Sequence, residues 1–148
     1  MRAVLQRVTC ARVTVEDREV GAIGRGIVAL VGVEQGDGPS DTDYIARKIR
    51  DLRIFEDAEG RMNLALGDVG GAVLAVSQFT LLADCRKGRR PSFLAAAPPA
   101  QAKASYEHLV DLLRREGTTV ATGEFQAIMQ VSLVNDGPVT ILLDSRRP

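Results

Sequence analysis

Two apolar runs, each opened by a glycine, do most to limit what this chain can become: "GIVALVGV" (26–33) and "GAVLAVSQFTLLA" (71–83). The first is a continuous apolar stretch of strand length bounded by glycines, and it reads as a strand sunk in the interior. The second reads as another long strand, interrupted by Ser77, Gln78 and Thr80 toward its C-terminal end. Residues 3–24 ("AVLQRVTCARVTVEDREVGAIG") predict strands around the polar turn Glu16-Asp17-Arg18. Residues 127–134 ("AIMQVSLV") and 138–144 ("PVTILLD") predict two more, and Glu59-Gly60 marks a turn within 55–63.

Helical signals fall between these strands. Ser40 is placed to cap a helix that begins near Asp41, with Asp43 at a capping-box position and Ile45, Ile49 and Leu52 on one face. A second helix follows residues 92–100, with Ala102, Tyr106, Leu109 and Leu113 on one face and Gly117 as its stop. Strands at both ends with helices between them do not make a regular βαβ alternation. The expected fold is therefore a single α/β domain over residues 1–148, with about seven strands and two main helices. Its sheet is expected to be mostly antiparallel or mixed, or to form barrel-like sheets. No glycine-rich nucleotide fingerprint follows a strand and opens a helix.

A chain of 148 residues suits one domain with a real core, and 45% apolar with 26% charged residues is a globular composition. No apolar run approaches the roughly 18 residues of a membrane span. The start "MRAVLQRVT" lacks a signal-peptide core, so no membrane association and a cytoplasmic location are expected. Cys10 and Cys85 are too far apart to suggest a disulfide framework or a zinc pair, and His108 is the single histidine. No metal and no cofactor are expected. Net charge is zero, yet "RKGRR" (86–90) holds four cations in five positions and the tail "DSRRP" (144–148) adds two. A solvated loop and a phosphate contact both fit this patch.

Few residues offer catalysis. His108 lies on the polar face of the second helix beside Glu107, so it is expected to be exposed rather than a triad base. Without a histidine partner the cysteines read as inert. The polar interruption in "SQFTLLAD" (77–84) has two readings. It is a sheet edge where Ser77 and Thr80 meet solvent, or it is a pocket floor whose N–H groups bind a developing oxyanion. "SLVNDGPVT" (132–140) breaks a strand with Gly137-Pro138, an ordinary turn signal.

Together, "SQFTL" (77–81) and "NDGPVT" (135–140) resemble the paired signature of the D-aminoacyl-tRNA deacylases. "QRVTCARVTV" (6–15), "RIFEDAEGRMNL" (53–64), "RPSF" (90–93) and "MQVSLVNDGPVT" (129–140) are similar to that family's segments in the same order, across nearly the whole chain. The resemblance implies a cytoplasmic homodimer with active sites at the subunit interface. It implies hydrolysis of the ester between a D-amino acid and tRNA, with glycyl-tRNA(Ala) as a further substrate. It implies a catalytic group at Ser77, Gln78, Phe79 and Thr80. It also implies a cis Gly137-Pro138 that enters the partner's pocket to select chirality, supported by Arg7 and Met129. Arg86, Lys87, Arg89 and Arg90 become candidate tRNA contacts.

Mechanistically, an aminoacyl ester is already activated and carries a neighbouring 2′-hydroxyl. Hydrolysis assisted by the substrate, with the Phe79 and Thr80 N–H groups as oxyanion donors, is expected. Three alternatives stand beside it: a Thr80 nucleophile, an esterase for small D-amino-acid esters, and a non-catalytic tRNA-binding dimer.

Overall fold

A computed structural model describes residues 1–147; Pro148, the last residue of the basic tail, lies outside them. In chain order the elements are β1 (Arg2–Val15), β2 (Arg18–Ile23), β3 (Gly26–Gly32), α1 (Pro39–Asp51), β4 (Phe55–Glu56), β5 (Met62–Leu64), β6 (Ala72–Ser77), α2 (Pro99–Arg115), β7 (Thr119–Thr122) and β8 (Gln130–Asp144).

The two apolar runs become β3 and β6, paired in parallel. Their unbroken hydrophobicity follows from having both faces covered. Ile27, Ala29, Val31, Val73 and Ala75 pack with Ile45 and Ile49 of α1 and with Tyr106, Leu109 and Leu113 of α2. On the opposite face Val28, Leu74 and Val76 pack with Val8, Ala11 and Val13 of β1. Each fully buried branched side chain of this kind contributes on the order of 2 kcal/mol. Beneath the helices the buried Tyr106 hydroxyl donates to the Ala75 carbonyl at 2.9 Å, and burial pushes its pKa up to about 12.

β1 is the spine. Along one edge it pairs antiparallel with β3 (Arg2–Val8) and then β2 (Ala11–Val15). Along the other it pairs antiparallel with β8 over nearly its whole length. The chain bends at Gly24-Arg25 between β2 and β3, and β2 comes up against β7. The mixed sheet β2-β1-β3-β6-β7, with β8 on the far side of β1, is thus nearly closed as a barrel. This is the expected α/β class.

Local boundaries differ from the sequence reading. Ser40 does not cap α1: the N-cap is Gly38, Pro39 occupies the first turn, and the Asp41 carboxylate accepts from the Gly38 N–H at 2.8 Å. Pro39 lacks an N–H and is suited to this position. Residues 78–83 do not continue β6 but turn into a 3₁₀ segment, Phe79–Leu82. The two strands expected at 127–134 and 138–144 form one, β8, interrupted by register shifts opposite Gln6–Cys10. The four-residue β7 was not expected.

The start of the chain is tied into the loop before α1. The Met1 amine pairs with the buried Asp37 carboxylate at 2.7 Å and donates to the Ser145 hydroxyl at 2.7 Å. Ser145 donates in turn to Asp41 at 2.6 Å, and this bond, more than the Gly38 N–H, holds the Asp41 carboxyl below its usual range. The loop so fixed pairs with residues 95–97 through Gln35 N–H to Ala95 O and Ala97 N–H to Val33 O, both 2.9 Å.

Candidate active site

The site begins where β6 stops. Val76 completes the buried strand, and the Gln78 N–H still reaches back to the Val31 carbonyl at 2.7 Å. The chain then leaves the strand and closes the Phe79–Leu82 turn, with Leu82 buried as its anchor. Gly32 makes room for that anchor: a Cβ there would lie 2.5 Å from Leu82 Cδ2 and 2.9 Å from the Gln78 carbonyl. The first bond inside the turn runs from the Leu81 N–H to Gln78 O at 3.2 Å. The N–H groups of Phe79 and Thr80 precede it and have no partner within the turn. A pair of adjacent main-chain donors on a rigid turn suits an oxyanion.

Ser77, Gln78 and Phe79 line a cavity of about 780 Å³, and Thr80 follows them on the turn without being one of its walls. Its walls are Val33, Val76, Ser77, Gln78 and Phe79, then Phe93, Ala96–Pro99 and Ala102, the loop Phe125–Ala127, Met129, and Val131 of β8. The Gln78 amide donates to the Thr80 hydroxyl, and Thr80 itself is exposed. Among the described residues no His, Asp, Glu or Lys side chain lines the cavity. His108 is half-buried on α2, less open than its polar neighbours suggested, and does not line the cavity. Tyr106 is committed to Ala75. Among the described residues no cluster of three His, Cys, Asp or Glu side chains is placed to hold a metal. Cys10 and Cys85 are free and exposed.

Arg7, Gly137 and Pro138 form a second group that does not line this cavity. The peptide bond before Pro138 is cis, and Gly137 has φ +117°. A Cβ at Gly137 would meet the Arg7 guanidinium at 3.0 Å and a Val139 methyl at 2.9 Å, so only glycine fits. Arg7 is buried. It donates to the Ile54 carbonyl at 2.7 Å and to the Asp136 carbonyl at 3.3 Å, and pairs with the Asp136 carboxylate at 3.1 Å. Asn135 spans the interruption of β8, donating to Arg7 O and Val139 O at 3.0 Å each. The loop is thus tied down from behind while Gly137 and Pro138 are exposed.

The basic stretch is a hairpin. Asp84 and Ser92 close it with main-chain bonds of 2.8 and 3.0 Å. Arg86 folds back on Asp84 in a bidentate pair at 2.9 and 2.7 Å, which holds that carboxyl far below the usual range. Lys87, Arg89 and Arg90 are exposed.

Sequence reasoning missed the cavity's other walls, Phe93, Ala96–Pro99 and Phe125–Ala127, because they lie on loops without periodicity. It also missed Asn135 as a clamp, although the residue stands inside the quoted motif.

The profile of the family described as D-Tyr-tRNA(Tyr) deacylase matches residues 4–144. A D-aminoacyl-tRNA deacylase of Syntrophotalea carbinolica is 61% identical over 147 residues, covering 99% of each chain. One of Thermotoga petrophila is 58% identical with the same coverage. Among solved structures, a c-Myc DNA unwinding element binding protein superposes with TM-score 0.93 at 42% identity, covering 97% of this chain and 98% of that one. A probable eukaryotic D-amino acid tRNA deacylase shares the fold, with TM-score 0.73 at 20% identity, over 96% of this chain and 97% of that one.

Proposed function

The chain belongs to the D-Tyr-tRNA(Tyr) deacylase family, and on that premise we propose that it is a D-aminoacyl-tRNA deacylase whose working unit is a homodimer in the cytoplasm. As a hydrolase of the ester between a D-amino acid and tRNA it releases both; glycyl-tRNA(Ala) is a second substrate. One observation carries the dimer: the cavity bearing Ser77, Gln78, Phe79 and Met129 lacks Gly137 and Pro138 of its own chain. β8 pairs with β1 alone among the described residues, so its other edge is open. Val131, Val134 and Leu142 are exposed along it. Pairing there brings the Gly137-Pro138 loop of one subunit to the cavity of the other. No described helix is long and apolar enough to cross a membrane.

Main chain at Gly137-Pro138 then stands against the substrate's Cα. An L side chain collides with it, a D side chain points outward, and glycine has nothing to exclude, so selectivity comes from rejection rather than from a side-chain pocket. The Phe79 and Thr80 N–H groups stabilise the oxyanion, each donor being worth roughly 10²–10³ in rate. Gln78 orients the Thr80 hydroxyl, and the substrate's 2′-hydroxyl assists the attacking water. Lys87, Arg89 and Arg90 lie on the tRNA side, and Arg86, paired with Asp84, holds their hairpin in shape.

The test is deacylation of D-tyrosyl-, L-tyrosyl- and glycyl-tRNA side by side, with D-tyrosine methyl ester as the small-ester control. Rapid hydrolysis of the first and third tRNAs and sparing of the second is expected; equal turnover of the D and L forms refutes the reading. A Thr80→Ala variant that keeps substantial activity excludes the threonine nucleophile, whereas a trapped aminoacyl-enzyme establishes it. The 42%-identical neighbour is named for binding a DNA unwinding element; the rival nearest to that name, a non-catalytic tRNA-binding dimer, predicts tRNA binding with no deacylation at all.

A further inference from the structure

Two aromatic side chains at the mouth of the cavity are left open to solvent. Phe79 and Phe93 stand edge to face, with centroids 5.1 Å apart at 69°, yet they are 56% and 37% exposed. Packing within one chain does not account for this, because a pair serving that chain's core would be covered, and Phe93 lies beyond the loop that the partner brings to Phe79. Between them in sequence hangs the hairpin closed by Asp84 and Ser92. Its Arg86 is spent on Asp84. Lys87, Arg89 and Arg90 have no carboxylate within ion-pair distance among the described residues. The same short segment therefore presents, in order, the main-chain donors of the cavity, one exposed ring, three uncompensated cations and a second exposed ring.

That combination has a specific chemistry. Open aromatic faces stack on unpaired bases, which a duplex does not offer, and the cations take the phosphates between them. We propose that the Phe79–Phe93 pair and this hairpin form a guide for the single-stranded nucleotides that precede the terminal one. An unpaired base stacks on Phe93, the backbone phosphates meet Lys87, Arg89 and Arg90, and Arg86 shapes the hairpin without touching RNA. The proposal rests on the deacylase reading, which puts the esterified terminal nucleotide in the cavity beside Phe79. From there the upstream strand must leave past Phe93.

The experiment compares kcat/KM on D-tyrosyl-tRNA with kcat/KM on D-tyrosyl-adenosine, which has no upstream nucleotide. The proteins are the wild type, Phe93→Leu, and the surface variant Lys87→Gln/Arg89→Gln/Arg90→Gln. Phe93→Leu is expected to lower the tRNA-to-adenosine ratio roughly tenfold, the scale of one base–aromatic stack. The triple variant is expected to flatten the slope of log(kcat/KM) against log[salt] on tRNA by about 2, from three single-strand phosphate contacts at about 0.7 each. Equal losses on both substrates make Phe93 only a cavity wall and overturn the proposal, as does an unchanged salt slope. If the triple variant also loses affinity for an acceptor duplex trimmed of its single-stranded end, the patch reads paired RNA and the guide is refuted. Wild-type protein that hydrolyses neither D-tyrosyl substrate refutes the deacylase reading itself. Hydrolysis of both with no change in ratio or slope refutes the guide alone.

Discussion

Replacing Arg7 by methionine isolates the anchor behind the Gly137-Pro138 loop. Methionine keeps most of the apolar stem, so the change falls on the guanidinium. The bond to Ile54 O, 2.7 Å long and buried, is charge-assisted and worth about 1.5–3 kcal/mol. The Asp136 carboxylate is 42% exposed; water replaces its partner, and the loss there is about 0–1 kcal/mol. Glu56 is 58% exposed at 3.9 Å and adds nothing of note. The expected cost is about 1.5–4 kcal/mol, which for a chain of this length lowers Tm by about 4–14 °C. Thermal unfolding followed by circular dichroism measures it. The loosened loop should also admit L-tyrosyl-tRNA, so the D-to-L ratio of kcat/KM falls. A Tm within about 2 °C of wild type would show that the buried contacts are worth far less than reckoned. A lowered Tm with an unchanged D-to-L ratio would show that Arg7 supports the scaffold but not selection.

Three further outcomes are expected. Gly32→Ala drives a methyl into Leu82 and the Gln78 carbonyl; it should cost about 1–3 kcal/mol by overpacking and lower kcat by displacing the Phe79–Leu82 turn, both read from melting curves and deacylation assays. Asp41, held below its ordinary value of 3.8 by Ser145 and then Gly38, contributes stability that is complete above that value and is lost as pH falls through the lower folded one. Asp41→Asn should therefore melt lower at neutral pH and show a shallower acid limb, and identical Tm–pH curves would dismiss the contact. Leu142→Asp, at a site 78% exposed, should leave the monomer folded but shift the protein from dimer to monomer in analytical ultracentrifugation and abolish deacylation; an active monomer would contradict the shared site.

What the sequence made legible depended on how much of a signal was local. The runs that became β3 and β6 stood out because both faces are buried, and the Ala102–Leu113 face of α2 because its period matches its burial. The end of the 71–83 run misled for the same reason: Phe79, Leu81 and Leu82 look like strand, but Gly32, far away in sequence, admits Leu82 and lets the chain turn. β8 looked like two strands because Gly137-Pro138 breaks the backbone pairing, and the repair is made by the Asn135 side chain. β7 escaped notice because only four residues pair with β6. Of the site, the motif residues were legible from resemblance, while the walls at Ala96–Pro99 and Phe125–Ala127 are set by tertiary placement alone.

The pairing of β1 with β8 joins Arg2 to Asp144, so during synthesis β1 waits for β8, which is made after every other described element. Contacts of such sequence separation form slowly, and until they form β1 has a bare edge of the kind that recruits other chains. A stalled or truncated product would thus lack its finished sheet along with Asn135 and the Gly137-Pro138 loop. A fragment that ends before β8 is therefore expected to be inactive, and nascent chains of that length should be substrates for chaperones.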